Sequence, residues 1–293
     1  MEEIYHTDIE CIDKSSSRYP KRLRNYKGMP KRLYVRGNLP RDDCPTVAVV
    51  GARRCSTYGS RQAYYYAKEL SRAGIQVISG LALGVDGRAH SGALEGGTAT
   101  YAVLGCGVDI CYPRQHYDLY RQVWQSGGLI SEQPPGTRPL GCYFPARNRI
   151  ISALADVILV VEAREKSGAL ITVDFALEQG KTVYALPGPV DSSLSVGCHR
   201  LLEQGAGVAW SVQTLLGEWG LEGSTEETSA KKRHLRLASD LNLVYSCLDL
   251  QPKSPHEIIE MTHFSAKKVI NSLTELELEG FVGRIGQKFY QKK

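Results

Sequence analysis

Continuous apolar runs of strand length alternate with amphipathic stretches of helical length from Thr46 to about residue 210. Because the runs are apolar throughout, the predicted strands are buried on both faces. These strands are Val47–Val50, Gln76–Ser79, Ala99–Leu104, Leu129–Ser131, Val157–Val161, Thr182–Ala185 and Gly207–Trp210. The helices predicted between them are Ser60–Ala73, Asp86–Glu95, His116–Gln125, Ala146–Leu154, Ala169–Glu178 and Gly197–Glu203. This alternation indicates an α/β fold: a Rossmann-like, mostly parallel sheet with helices on both faces.

The regions that flank this alternation have a different composition. Residues 1–45 are basic and punctuated by prolines, then briefly strand-like, and we interpret them as an arm that packs on the Rossmann-like domain of residues 46–216. Residues 217–236 lose all apolar periodicity, which is typical of an exposed linker.

Residues 237–293 have the pattern of a second, smaller domain. A helical pattern at Ser239–Leu250 precedes a capping box with proline at the first helical position, at Ser254–Glu257. Ser265 can cap a third helix, and Phe281–Tyr290 is typical of a hairpin. Three helices followed by a hairpin predict a winged-helix domain.

The composition is that of a soluble globular protein, with 42% hydrophobic and 23% charged residues and a net charge of +5. Residues 46–230 are slightly acidic, with fifteen Lys/Arg against seventeen Asp/Glu, so any nucleic-acid site there is a local patch. Twelve of those fifteen basic residues are arginine, which favours specific phosphate contacts.

The eight cysteines have no short repeated pair spacing, so we expect reduced thiols in the cytoplasm, with a zinc site as the less favoured alternative. The start of the sequence does not match a signal peptide, and no apolar run is long enough to span a membrane. The expected location is therefore cytoplasmic, without membrane association.

The end of the first predicted strand gives the strongest indication of a ligand site. The strand breaks at Gly51 and passes to a helix near Ser56, and ligand phosphates dock at such turns in open α/β sheets. Arg53 and Arg54 occupy this turn in place of the later glycines of a dinucleotide fingerprint, and arginine is a bidentate, permanently charged phosphate ligand. These residues predict a phosphate-rich ligand.

The second predicted strand ends at Ser79 and Gly80, where small residues allow a ligand to approach the backbone. Gly80, like Gly51, has the alternative of forming only a tight turn. Asp86 and His90 lie four residues apart on one helical face. They fit either a catalytic pair or, as the favoured interpretation, a helix cap and a packed, hydrogen-bonded histidine.

Arg114 follows the third predicted strand, and with Arg53 it suggests an anion site shared by neighbouring strand ends. Tyr117, close to Arg114 in the chain, is a weaker candidate for stacking on a base.

The segment Arg147-Asn148-Arg149 lies near the start of a predicted helix. Two arginines there interact unfavourably with the positive end of the helix dipole unless an anion is bound. The alternative is that they form ion pairs with Glu132 or Glu162.

Catalytic patterns are missing from the sequence. Ser79 and Ser167 have no obvious partner base, and neither paired carboxylates nor metal-ligand spacing stands out. The P-loop and dinucleotide fingerprints are also absent. The residues therefore indicate no catalytic set, and we expect no cofactor and no metal.

Seven motifs occur along the chain in a fixed order: Gly51–Arg53, Ser79–His90, Ala102–Pro113, Phe144–Ile151, Val161–Ala163, Ser167–Thr172 and Leu186–Gly188. Together they resemble the DNA processing protein A family over about residues 20–210, and the tail resembles the winged-helix module that many members carry. The family's usual amino-terminal helical domain is largely missing from residues 1–45, which puts in doubt any partner contacts made through it.

This resemblance implies a bacterial protein that binds single-stranded DNA, protects incoming DNA during natural transformation and loads the RecA recombinase onto it. It also implies a homodimer formed through the Rossmann-like domain. The implied DNA contacts are Gly51, Arg53, Ser79, Gly80, Arg114, Arg147, Asn148 and Arg149, with Tyr117 as the further candidate from the chain itself.

Two other interpretations come from different classes of protein. Nucleotide phosphoribohydrolases of the same superfamily have a Pro-Gly-Gly-x-Gly-Thr loop and a downstream glutamate. Here the corresponding segment is Ser167–Thr172, without the glycine pair, followed by Glu178. A nucleotide-sensing winged-helix regulator is the third hypothesis, but the acidic residues of the last helix make a poor duplex-reading face. A partner-docking or dimer-supporting role is favoured for the tail.

Overall fold

The computed structural model describes residues 8–221, 239–248, 252–278, 281–285 and 289–292. The chain divides into two compact units, Met1–Glu226 and Glu227–Lys293. Each unit has its own hydrophobic core.

The first unit is built on a nine-stranded sheet in the order β1-β2-β6-β5-β4-β3-β7-β8-β9. Strands β3 to β9 are all parallel to one another. Strand β2 pairs antiparallel with β6 on one side and with β1 on the other. The strands are β1 (Ile9–Asp13), β2 (Arg32–Gly37), β3 (Thr46–Val50), β4 (Gln76–Ser79), β5 (Thr100–Leu104), β6 (Gly128–Ser131), β7 (Val157–Val160), β8 (Thr182–Ala185) and β9 (Gly207–Val208).

Helices cover both faces of this sheet. One face carries α2 (Thr57–Arg72), α3 (Val85–Gly96), α4 (Tyr117–Ser126) and α8 (Val212–Leu216), and the other carries α1 (Lys21–Arg24), α5 (Tyr143–Leu154), α6 (Gly168–Glu178) and α7 (Val196–Glu203). Strand β3 shows why the strands are apolar throughout: Val47 and Val49 face the α2 side, and Ala48 and Val50 face the α5 side. The predicted Rossmann-like architecture is confirmed.

The predicted arm contributes two strands to this same sheet. Strand β2 pairs antiparallel with β6, and β1 pairs with the outer edge of β2. Arg22 of α1 donates two hydrogen bonds to Asp156, at 3.2 and 3.1 Å. The Arg36 guanidinium lies 3.4 Å from the ring centroid of Trp124. Residues 9–37 are thus an integral layer of the first unit.

The second unit contains three helices and a two-stranded antiparallel sheet, and forms the winged-helix domain that the sequence predicts. The elements are α9 (Ser239–Ser246), α10 (Pro255–Thr262), α11 (Ala266–Leu278), β10 (Val282–Ile285) and β11 (Phe289–Lys292). The capping box is present, with Ser254 and Glu257 exchanging hydrogen bonds at the start of α10. The turn of the hairpin and linker residues 222–236 lie outside the described residues.

The chain order of the sheet reverses at β3, whose neighbours are β4 on one side and β7 on the other. In open parallel sheets this reversal opens a crevice beyond the carboxyl ends of the two central strands. The fold therefore directs a ligand site to the segments that follow Val50 and Val160.

Glycines bring α2 and α3 into close contact with each other. A Cβ at Gly92 would collide with the Tyr64 carbonyl oxygen. A Cβ at Gly96 would lie 2.5 Å from the Lys68 carbonyl oxygen. The close approach of the two backbones thus depends on positions without a side chain.

We predict that Gly92→Ala lowers the free energy of unfolding by about 1–3 kcal/mol, because overpacking outweighs alanine's better helix propensity. Denaturant unfolding followed by tryptophan fluorescence measures this change within the first unit, since the three tryptophans are Trp124, Trp210 and Trp219. Gly168→Ala is the matched control, because its Cβ would meet open space on α6. Equal effects of the two substitutions would contradict the packing argument.

Candidate functional site

A cleft of about 700 Å³ opens at the carboxyl edge of the sheet, at the reversal of strand order. Its walls come mainly from segments that follow a β-strand or begin a helix. The principal lining residues are Gly51, Ala52, Arg53, Arg54, Asp86, Tyr112, Phe144, Pro145, Arg147, Asn148, Arg164, Lys166, Ser167, Gly168 and Ala169. We refer to this recess as the cleft.

The turn after β3 is held tightly against the end of β7. A Cβ on Gly51 would lie 2.7 Å from Val85 Cγ2 and 2.9 Å from the Glu162 carbonyl oxygen, so a side chain does not fit. The Ala52 amide donates to that same carbonyl oxygen at 2.7 Å. The chain that carries Arg53 and Arg54 therefore leaves the sheet in a fixed direction.

The Glu162 side chain fixes the other end of the turn. It is 4% exposed, and its carboxylate accepts hydrogen bonds from the Ser56 amide at 2.9 Å and the Ser56 hydroxyl at 2.5 Å. Ser56 in turn caps α2 by accepting from the Gly59 amide at 3.1 Å. A buried carboxylate thus joins the end of β7 to the start of α2.

Four exposed cations surround the opening of the cleft: Arg53, Arg54, Arg164 and Lys166. Within the ranges that the structure describes, none of the four forms an ion pair or a hydrogen bond. The described lining includes one carboxylate, Asp86, which is buried. The mouth of the cleft is accordingly a strongly positive site on a slightly acidic body.

Arg147 is an internal part of the cleft. It is 6% exposed, and its guanidinium donates to the Gly80 carbonyl oxygen at 2.9 Å and to the Val103 carbonyl oxygen. Burial lowers the pKa of Arg147 to about 10, against the opposing effect of the nearby Asp86. Burial also raises the pKa of Asp86. Arg147 therefore supports the floor of the cleft by joining β4 to β5.

The neighbours of Arg147 have separate roles. Asn148 lines the cleft, and its side-chain amide donates to the Gly168 carbonyl oxygen at 3.2 Å. Arg149 lies outside the lining and forms a bidentate ion pair with Glu132, with both distances 2.8 Å. The ion-pair alternative is therefore the one that the structure shows for Arg149.

Ser79 and Gly80 are engaged within the protein. The Ser79 hydroxyl is buried and donates to the Val49 carbonyl oxygen at 2.7 Å. The Gly80 amide donates to Asp86 at 3.2 Å, and its carbonyl accepts from Arg147. The Arg147 guanidinium fills the space that a Gly80 side chain would need. Neither residue lines the cleft.

The expectation that Arg53 and Arg114 follow neighbouring strands is wrong, because β4 lies between β3 and β5. Arg114 begins a short 3-10 turn and is exposed, and Tyr117 is 56% exposed at the start of α4. Both residues lie outside the lining of the cleft. Arg53 follows the first predicted strand and Arg114 the third, and the second lies between them in the sheet. The assignment of Arg114 and Tyr117 as DNA contacts stays a prediction.

Two aromatic side chains of the described lining, Phe144 and Tyr112, were not predicted from the sequence as base-stacking residues. The Phe144 ring centroid lies 5.4 Å from that of Tyr112 and 5.4 Å from the Arg53 guanidinium carbon. Arg164 and Lys166 also line the cleft, and they were not among the predicted site residues. The signal was available, since these two residues follow β7 at the same carboxyl edge.

His90 is the packed, hydrogen-bonded histidine of the favoured interpretation, whereas Asp86 is not a helix cap, because α3 follows Gly84 without a side-chain cap. His90 is fully buried, its Nδ1 is 2.8 Å from the Thr100 hydroxyl, and burial lowers its pKa to about 3. Asp86 accepts from the Gly80 amide at the start of α3. The histidine is therefore neutral at physiological pH.

The arrangement provides exposed guanidinium and ammonium groups for phosphates and an aromatic ring for a flat group. Over the described ranges, His, Cys, Asp and Glu side chains do not cluster in threes as metal ligands. Among the described residues no helix has the length and apolar character to cross a bilayer. Fold and site together define a Rossmann-like protein with a cationic cleft for a polyanion.

Comparison with models of known protein families identifies the family of this chain. The family model for DNA recombination-mediator protein A matches residues 10–220, and that for the DprA winged helix domain matches residues 228–287. The chain therefore belongs to the DNA recombination-mediator protein A family, also called DprA or Smf.

Curated relatives include DNA processing protein DprA of Streptococcus pneumoniae, 40% identical over 69% of this chain and 71% of the relative. Protein Smf of Escherichia coli is 35% identical over 94% of this chain and 75% of its own length. Among solved structures, DprA of Streptococcus pneumoniae has a TM-score of 0.69 at 38% identity, covering 73% of this chain and 75% of that one.

A second solved structure, DNA processing protein A of Helicobacter pylori, has a TM-score of 0.66 at 30% identity, covering 73% of this chain and 97% of that one. That protein is described in terms of its single-stranded DNA binding mode.

We predict that Arg147→Met lowers the free energy of unfolding by roughly 2–4 kcal/mol, because two buried carbonyl oxygens lose their donor. Arg53→Met, at an exposed position, should change it by less than about 0.5 kcal/mol. Tryptophan-detected denaturation of both variants makes the comparison. A similar loss in each would show that Arg147 is not a structural support.

Proposed function

We propose that this chain binds single-stranded DNA in the cleft and acts without enzymatic activity of its own in DNA recombination. The observation that carries this proposal is the set of four unpaired cations, Arg53, Arg54, Arg164 and Lys166, around an opening that also contains Phe144. Cations that follow the backbone, combined with an aromatic surface for bases, are the features of single-strand recognition.

The shape of the cleft supports a single strand over a duplex. The aromatic pair of Phe144 and Tyr112 lies within the recess, where an unpaired base can reach it. Bases of a duplex are already stacked and paired, so they cannot reach this pair without being unstacked. Duplex contacts would be limited to phosphates and the cations at the rim.

The hydrolase alternative is less well supported. Glu178, the glutamate downstream of Ser167–Thr172, lies at the far end of α6, about 15 Å of helix from its start. Asp86 is the one carboxylate in the described lining of the cleft. It is buried, and it accepts a hydrogen bond from the Gly80 amide. The cleft thus has ligand-holding groups without an exposed general acid or base.

We predict that the protein binds a fluorescent poly-dT strand more tightly than a matched duplex, and that binding weakens as salt rises. Arg53→Glu should lower single-strand affinity by about tenfold or more, because it replaces an attraction to phosphate by a repulsion. Fluorescence anisotropy over a salt series measures both effects.

Arg72→Glu is the charge-matched control, since Arg72 ends α2 at the opposite edge of the sheet and pairs there with Glu69. Equal binding of single strand and duplex, or retention of single-strand binding by folded Arg53→Glu, would contradict the proposal. Release of free base from nucleoside monophosphates would favour the hydrolase instead.

We further propose that the chain acts as a cytoplasmic homodimer, protects incoming DNA in natural transformation and loads the RecA recombinase onto it. One cleft contributes few phosphate contacts, so two linked clefts raise affinity through effective concentration. Membership of the recombination-mediator family supports this proposal.

We predict that the protein accelerates RecA filament assembly on a single strand already covered by single-strand-binding protein. Arg53→Glu should remove the acceleration, because the mediator must hold the same strand as the recombinase. Filament growth is followed by fluorescence of labelled RecA, and light scattering gives the mass of the mediator. Unchanged assembly rates in the presence of the dimeric wild-type protein would exclude the loading role.

A further inference from the structure

A second recess, of about 500 Å³, lies between α2, α3 and α4 on the other side of the turn after β3. We refer to it as the polar groove. Its lining is polar and comes from three elements and the 3-10 turn before α4. The side chains that carry the argument are Arg88, Gln115, His116, Asp118 and Gln122.

One turn of the chain separates the polar groove from the cleft. Arg53 and Arg54 line the cleft, and the next residue, Cys55, lines the groove. On the other wall Ala82 lines the cleft and Gly84 lines the groove. A polymer held at Arg53 therefore needs to cross only this short ridge to enter the groove.

Glycines make the floor of the groove. A Cβ on Gly87 would collide with the His116 ring, so the imidazole packs directly on the first turn of α3. His116 Nδ1 is 3.0 Å from the Leu81 carbonyl oxygen, which fixes the ring and leaves Nε2 without a partner in the described structure. The imidazole is thus held in place with one ring nitrogen unused.

Arg88 provides an unused cation at the groove. It is exposed and forms no ion pair in the described part of the chain, while its guanidinium carbon lies 4.9 Å from the Tyr64 ring centroid. Stacking on the ring limits the motion of the guanidinium and leaves its N–H groups available to a phosphate.

The remaining wall is suited to the edge of a base. Gln115 and Gln122 are exposed, and in the described ranges neither side chain has a hydrogen-bond partner. Asp118 adds one carboxylate on α4, which repels a phosphate and accepts from an amino group. Phosphate is therefore favoured at Arg88, and the base at the α4 wall.

We propose that the polar groove is a second nucleotide subsite, which takes a nucleotide further along the strand, beyond those that fill the cleft. The proposal rests on the proposed single-strand binding and extends it. Arg88 contacts the phosphate, and Gln115, Gln122 and His116 contact the base. A strand long enough to cross the ridge uses both recesses, whereas a short strand fills the cleft alone.

Affinity for two strand lengths tests this proposal, with oligonucleotides of about 4 and about 16 nucleotides. Arg88→Glu should lower affinity for the long strand roughly tenfold and leave that for the short strand unchanged. Arg121→Glu is the matched control, because it makes the same charge change on α4 at an exposed position outside the groove lining. Tryptophan-detected unfolding verifies that both variants fold.

Native cysteines give a second, independent readout on the unmodified protein. Cys55 lines the groove, Cys142 is exposed beside the cleft-lining Gly141, and Cys11 is exposed on β1. Peptide-resolved alkylation should show Cys142 protected by both strands, Cys55 protected by the long strand only, and Cys11 by neither.

The outcomes separate this inference from the proposed function. Binding of both strands with Cys142 protected, but with Cys55 labelled at an unchanged rate and Arg88→Glu without effect, would overturn the groove subsite and leave single-strand binding intact. If neither strand binds the wild-type protein, the proposed function itself fails, and the groove proposal fails with it.

Discussion

The contact between the buried Glu162 carboxylate and Ser56 is the interaction on which the site depends. It joins the end of β7 to the first turn of α2, and the intervening turn has no freedom at Gly51, where Val85 and the Glu162 backbone leave no room. A buried carboxylate is costly unless fully bonded, so this pairing is specific to one conformation. Both recesses share the turn that it holds.

The charge distribution has a consequence for how a polyanion is recognised. Residues 46–230 are slightly acidic, so no general positive field covers the first unit. The positive potential is instead concentrated where helix starts and strand ends converge. Exposed cations without partners repel one another, and a bound phosphate relieves that repulsion. The cleft therefore discriminates by position and not by total charge.

The elements of the first unit were predictable because strand-like and helix-like segments alternate regularly along the chain, and the predicted bounds of β4 and β8 match those observed. The arm was harder to interpret, since β1 and β2 are antiparallel strands near one edge of the sheet, with exposed residues such as Glu10 and Arg32. Their place in the sheet depends on pairing with β6, a long-range contact that local periodicity does not encode.

Only part of the site could be predicted from the sequence, because the prediction used one rule about where parallel strands end. Residues after strands do gather at the carboxyl edge, which places Gly51 and Arg53 in the cleft. The rule does not show which arginine side chains are engaged by other groups of the protein. Arg147 donates hydrogen bonds to two backbone carbonyl oxygens, and Arg149 forms an ion pair with Glu132. Identical side chains acquire different roles through burial, which sequence spacing does not show.

Preorganisation links these observations to binding. Arg147 fixes β4 to β5 beneath the cleft, Glu162 fixes the turn above it, and Gly87 seats His116 in the polar groove. Each of these groups is already held within the protein, so in the proposed complex the ordering cost of binding falls mainly on the DNA and on the exposed cations. A flexible single strand can meet that requirement by following the two recesses across the shared turn. A duplex, with bases already stacked, gains little from either recess, so rigidity of the protein itself favours the single strand.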